Sequence, residues 1–237
     1  MSVIVVSGTG TEIGKTVVTA AVASAFRARG RSVAVVKPAQ TGVAAGEPGD
    51  VAEVARLAGA VTGVELARFP EPLAPATAAR RAGMAAVRPH EVAEAVEKLA
   101  AEHDLVLVEG AGGLLVRFDD DGGSLADVAG LLGAPVLVVA PAGLGTLNAV
   151  ALTAEALRAR ELEHLGVVVG SWPGRPDLAA RCNLADLPEA AGAPLLGAVP
   201  EGAGALAPAE FRARAGSWLA PRLGGEWDAE AFAAAVR

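Results

Sequence analysis

Lys15 and Thr16 close the stretch Ser7-Gly8-Thr9-Gly10-Thr11-Glu12-Ile13-Gly14-Lys15-Thr16, whose residue types and order suit a nucleoside triphosphate. Glycines let the backbone curl so that successive N–H groups point inward, and a helix start adds unpaired donors and a positive dipole end. A lysine here reaches the β- and γ-phosphates, and the hydroxyl after it can ligate Mg²⁺. The spacing is a variant: Thr9 stands where the first glycine is usual, with Gly8 and Gly10 on either side. A dinucleotide-binding fingerprint fails, because its third glycine would be Ile13 and its acidic ribose partner is replaced by Lys37.

Of the 20 basic residues, only Lys15, Lys37 and Lys98 are lysines. Two of the three therefore fall at the ends of the first two expected strands. A compact ammonium serves close phosphate work and is not interchangeable with a planar guanidinium. Glu109 leaves the apolar run Leu105–Val108 ahead of Gly110-Ala111-Gly112-Gly113, where a carboxylate suits a Mg²⁺ ligand, a helix cap or a surface acid. Asp50 opens a helix, as a cap or as a second metal ligand. Gly145-Thr146-Leu147-Asn148 starts another helix with free backbone donors fit for an anion such as a carboxylate, and Thr146 suits its N-cap.

Six apolar runs must position these residues: Val3–Val6, Val33–Val36, Leu105–Val108, Pro135–Val139, Leu165–Val169 and Leu195–Val199. Near-continuous Val and Leu mark strands covered on both faces, hence a mostly parallel sheet. Helical patterns alternate with them at Lys15–Arg29, Val51–Ala58, Pro89–Glu102, Leu125–Leu132, Leu147–Arg160 and Asp177–Ala190, with shorter ones at Ala209–Leu219 and Asp228–Val236. The expectation is an α/β fold, a doubly wound sheet flanked by helices, with residues 1–237 as one domain. In such sheets ligands gather at the carboxyl ends of the strands, where nearly every segment here carries Gly, Pro or a polar group. The Pro-rich stretch Phe69–Pro75 reads as a surface loop that helps shape the site.

Composition narrows the partners. A net charge of −7 without a basic cluster argues against nucleic acid and anionic membrane. The single Cys182 excludes an internal disulfide and a Cys-cluster metal site, and fits a reducing cytoplasm. The uncharged segment Val128–Ala154 is long enough to span a bilayer, but its glycines and prolines divide it into helix end, strand, loop and helix. The N-terminus enters a strand at once, leaving no room for a signal peptide.

Four motifs in order resemble the dethiobiotin synthetase family: Gly-Thr-Gly-Thr-Glu-Ile-Gly-Lys-Thr from Gly8, Lys-Pro-Ala-Gln-Thr-Gly from Lys37, Val-Glu-Gly-Ala-Gly-Gly-Leu from Val108, and Gly-Leu-Gly-Thr-Leu-Asn from Gly143. The shifted first glycine of the loop is what that family shows. The resemblance runs from Val3 to about Gly202 and implies an ATP-dependent cyclo-ligase, closing the ureido ring of dethiobiotin from 7,8-diaminononanoate and CO₂ in biotin biosynthesis. It implies that Glu12, Ile13, Gly14, Lys15, Thr16 and Val17 wrap the triphosphate, and that Thr16, Asp50 and Glu109 hold Mg²⁺. By the same resemblance, Gly110, Ala111, Gly112, Gly170, Ser171, Pro200, Glu201 and Gly202 would complete the nucleotide site. Lys37, with Lys15, would be catalytic, bridging a substrate carbamate and the γ-phosphate. Thr41 would contact the diamine, and Gly145, Thr146, Leu147 and Asn148 would hold its carboxylate across a homodimer interface.

One departure stands out. Gly170-Ser171-Trp172-Pro173 occupies the place where many members carry an Asn that reads the adenine edge, which implies relaxed base preference. Trp172 could stack on the base or sit in the core. Two rivals remain. A corrinoid-type amide synthetase would need a glutamine-hydrolysing domain for which 237 residues leave no room. A partition-type ATPase switch would carry an additional lysine where this chain has Gly10.

Overall fold

In a computed structural model that describes residues 2–236, seven strands join in one sheet, ordered β3-β2-β4-β1-β5-β6-β7. They are β1 (Val3–Gly8), β2 (Val33–Thr41), β3 (Thr62–Phe69), β4 (Leu105–Gly113), β5 (Val136–Ala140), β6 (His164–Trp172) and β7 (Leu195–Pro200). Every pairing within it is parallel. The helices are α1 (Lys15–Ala28), α2 (Asp50–Ala58), α3 (Pro75–Ala82), α4 (Pro89–Ala100), α5 (Leu125–Leu132), α6 (Thr146–Arg158), α7 (Leu178–Ala191), α8 (Pro208–Arg214) and α9 (Ala229–Ala235).

Alternate residues of the central strands serve opposite faces, as the two-residue period of a strand requires. Ile4 and Val6 pack with Val18 and Val22 of α1 and Leu57 of α2, while Val5 packs with Val92 of α4 and Val128 of α5. All of these are fully buried. Double coverage is why these strands read as continuous apolar runs.

Two expectations need correction. β3 has no counterpart among the six apolar runs, because it is an edge strand whose polar residues alternate with Val64 and Leu66. Residues 209–219 are not one helix. α8 ends at Arg214, a 3₁₀ turn covers Ala215–Trp218, and Leu219 pairs antiparallel with Gly197 beside β7. By contrast, the Phe69–Pro75 stretch is the loop expected of it: Pro72, Leu73, Ala74 and Pro75 line the site cavity, and Pro75 then opens α3 at the first helical position, where a missing N–H costs nothing.

β2 also runs further than its apolar core suggested. It pairs with β4 only over Val33–Val36 but stays with β3 as far as Thr41. Pro38 therefore lies beyond the last β4 pair, where its absent N–H breaks no ladder bond on that side. The opening between the ends of β2 and β4 is where Lys37 and Glu109 meet.

Candidate active site

The loop from Thr9 to Gly14 leads into α1, which has no acidic residue in its first turn, so its dipole and free amides stay available to an anion. Gly14 caps the helix at φ 93°, and a Cβ there would collide with the Gly170 carbonyl at the end of β6. The contact is mutual, since a Cβ on Gly170 would strike the Ile13 carbonyl. Backbone lies directly on backbone, a placement only glycine permits. Glu12 also takes positive φ, 58°, and so shares in the tight curl of the loop.

Lys15, Thr16, Lys37, Asp50 and Glu109 surround one cavity of about 770 Å³. The Lys37 ammonium donates to Glu109 Oε1 and to the Gly110 carbonyl, both at 3.0 Å, and is ion-paired with Asp50. Thr16 Oγ1 donates to the same Glu109 Oε1 at 2.9 Å. Lys15 Nζ donates to the Gly10 carbonyl at 2.6 Å. Burial alone would push the Lys37 ammonium down, but the neighbouring Glu109 and Asp50 charges and their hydrogen bonds outweigh it, so its pKa is raised. Lys15 moves the other way. Burial first, and then the Lys37 charge, lower its pKa against the weaker pull of Glu109 and Asp50.

The second carboxylate oxygen, Glu109 Oε2, is buried with no hydrogen-bond partner, while Glu109 as a whole is 1% exposed. A buried acceptor without a partner costs about 1–3 kcal/mol, and more when charged. With the Thr16 hydroxyl and the Asp50 carboxylate, this orphaned oxygen makes a set of hard oxygen donors, the kind that fits Mg²⁺. Among the described residues, no three of His, Cys, Asp and Glu cluster as a metal site. Mg²⁺ needs no such cage, because one or two carboxylates with substrate phosphates suffice.

Glu12, Gly14, Val17, Thr41, Ala111 and Gly112 also line the cavity. Gly110 contributes only its carbonyl to Lys37. Ile13 turns its side chain toward the core on the α1 side of the sheet and its carbonyl toward Gly170. Gly170, Ser171, Pro200, Glu201 and Gly202 lie outside the cavity. Of these, Gly170 abuts the phosphate loop at Ile13 and Gly14, Glu201 N–H donates to the Trp172 carbonyl, and a Cβ on nearby Gly204 would touch Val17 of α1. Gly145, Thr146, Leu147 and Asn148 also stand apart from the cavity.

Two capping expectations are corrected. The N-cap of α2 is Gly49, and the Asp50 carboxylate turns inward to Lys37 instead of folding back on its own helix. The N-cap of α6 is Gly145 in a left-handed conformation, which leaves the Thr146 hydroxyl buried and without a partner. Trp172 is a core residue, 7% exposed and edge-on to Phe232 of α9. Sequence reasoning missed what holds Asp50: Gln40 accepts the Asp50 N–H at 2.8 Å, and Glu65 and Arg68 on the unanticipated β3 lie beside it. The alternation Val64-Glu65-Leu66 was the available signal for that strand.

An all-parallel sheet carrying a glycine loop, Lys15 and Thr16 at a helix start defines a P-loop nucleotide-binding α/β protein. Residues 2–208 match a family described as an AAA domain. The septum site-determining protein MinD with Mg-ADP from Pyrococcus horikoshii superposes with a TM-score of 0.58 over 94% of each chain at 18% identity. A ParA family ATPase from Chlorobium tepidum gives 0.57 over 89% of each at 12% identity. These two share the fold. The relatives named ATP-dependent dethiobiotin synthetase BioD are far nearer in sequence. That of Streptomyces avermitilis is 73% identical over 235 residues, 99% of both chains, and that of Saccharopolyspora erythraea 74% over 227 residues, 96% of this chain and 99% of the other. The chain belongs to the ATP-dependent dethiobiotin synthetase family. The partition-type alternative has support only at the level of fold.

Proposed function

We infer that this protein is an ATP-dependent ligase of biotin biosynthesis that closes the ureido ring of dethiobiotin from 7,8-diaminononanoate and CO₂. Family membership supports the reaction. The observation that carries the residue assignment is the convergence of the Lys15 and Lys37 ammonium groups on one cavity with Thr16, Asp50 and Glu109.

One substrate amine attacks CO₂, forming a C–N bond and losing a proton to give a carbamate. A carbamate oxygen then attacks the γ-phosphorus as the bond to ADP breaks, giving a carbamic–phosphoric anhydride. The second amine attacks the carbamoyl carbon and expels phosphate. Two anions must approach each other in the middle step, so fixed positive charge lowers its barrier. Lys37, held protonated by its carboxylate neighbours, bridges carbamate and γ-phosphate. Lys15 and the loop amides Glu12 to Val17 hold the β- and γ-phosphates, and Thr41 orients the diamine. Thr16, Asp50 and Glu109 would hold Mg²⁺, which supplies charge neutralisation of the phosphate oxygens when bound.

Gly170, Ser171 and Pro200–Gly202 would border the base, with little side-chain discrimination available from a glycine and a serine. Gly145–Asn148 would hold the substrate carboxylate at a homodimer interface. The exposure of Leu144 (94%) and Leu152 (59%) beside that turn supports an apolar contact there. Among the described residues no helix is long and apolar enough to cross a membrane, and a cytoplasmic site of action fits this pathway role. The test is phosphate release with Mg·ATP, bicarbonate and the diamine. Release that requires the diamine is expected, whereas diamine-independent hydrolysis stimulated by DNA or membrane would overturn the reading.

A further inference from the structure

The segment between β2 and α2 carries Asp50 to Lys37, and its own conformation needs an explanation. It is held from β3. Arg68 Nη1 donates to the carbonyls of Ala44 at 3.0 Å and Glu47 at 2.7 Å, on the segment itself. The same guanidinium is gripped from behind by Glu65, through Nε at 2.9 Å and Nη2 at 2.7–2.8 Å. Strand register sets these residues opposite the site, because Lys37 pairs with Glu65 and Gln40 with Arg68. Gln40, 4% exposed, then accepts the Asp50 N–H through Oε1 at 2.8 Å. Gly49 lies so close to all three that an added Cβ would stand 2.7 Å from Gln40 Oε1, 2.7 Å from Glu65 Oε1 and 2.9 Å from Arg68 Nη2.

We propose that Gln40, Glu65 and Arg68 form a positioning clamp that fixes the 42–49 segment and the first turn of α2, so that Asp50 stays on Lys37. Gln40 borders the cavity, while Glu65 and Arg68 stand behind it, outside the lining. Their effect runs through the Asp50 carboxylate, and the proposal rests on the reading of Lys37 and Asp50 given above. A planar guanidinium suits this task because it binds one carboxylate in a fork and still offers a third nitrogen to two carbonyls. A lysine could not do both.

A double-mutant cycle with an exchange measurement tests it. Arg68→Ala should lower kcat about tenfold with the ATP KM within about twofold, since small misplacement of a catalytic group costs turnover more than binding. In an Asp50→Ala background the same change should cost less than about twofold, because residues acting as a unit are not additive. Equal losses in both backgrounds would overturn the proposal. Deuterium uptake in full-length protein should rise in the segment 43–51 of Arg68→Ala and stay unchanged in the phosphate loop. Uptake unchanged in both segments would also overturn it. Should Arg68→Ala fail to fold, Gln40→Met replaces it in both measurements, with Gln40→Glu, which keeps the acceptor, restoring protection of segment 43–51. A wild-type protein without ring-closing activity would sink the proposed function alone, since the exchange result still judges the clamp.

Discussion

The carboxyl-end rim of the sheet divides at β1 into two halves built on different principles. On the side of β2 and β4, Lys37 at 3% exposure and Glu109 at 1% are bonded to each other within a cavity that also holds Asp50. On the side of β5, β6 and β7, the strand ends offer backbone: Gly145 at an α6 cap, Gly170 pressed on the phosphate loop, and Pro200–Gly202 alongside. Their most conspicuous side chain is the exposed Leu144. The difference teaches that one half can run electrostatics on its own, while the other shapes and borders through main chain. The phosphate loop joins them, leaning on Gly170 with one side and opening to Lys37 with the other.

The largest expected effect breaks the charged half. Lys37→Ala should lower turnover by about 10³-fold or more while the nucleotide Kd shifts only a few-fold, measured by steady-state rates and calorimetry. Equal loss of both would make Lys37 a phosphate anchor. Next comes the seam between the halves. Gly170→Ala sets a methyl against the Ile13 carbonyl, and should raise the ATP KM about tenfold and lower Tm by several degrees in a thermal scan. An unchanged KM would show that the loop does not lean on β6.

Two smaller effects probe the backbone half. Leu144→Asp should shift the protein toward monomer in sedimentation and raise the diamine KM, about tenfold, with nucleotide affinity intact. A dimer that persists with normal KM would separate Gly145–Asn148 from any interface. Initial rates with ATP, GTP and CTP should fall within about tenfold of one another, since no side-chain amide reads the base edge at Gly170. A strong ATP-only preference would contradict this.

The sequence disclosed the charged half unusually well, because Lys37 and Glu109 each follow an apolar strand run, Lys15 opens the helix after the first strand, and the order of elements alone brings these places together. It disclosed less where tertiary contact overrides local preference. Asp50 and Thr146 both look like helix caps, yet a glycine caps each helix and frees the side chain. β3 was hidden because an edge strand buries too little to read as an apolar run, and with it went Glu65 and Arg68. Nor could spacing reveal that Gly14 and Gly170, more than a hundred residues apart, exclude side chains from each other.

The most direct trial of the central claim follows ¹³C-bicarbonate and ATP together in one reaction with the diamine. Ureido carbon and orthophosphate should appear in equal amounts in the wild-type protein, and both should vanish together in Lys37→Ala. Phosphate released without labelled ureido product, or ring closure undiminished in that variant, would contradict the account.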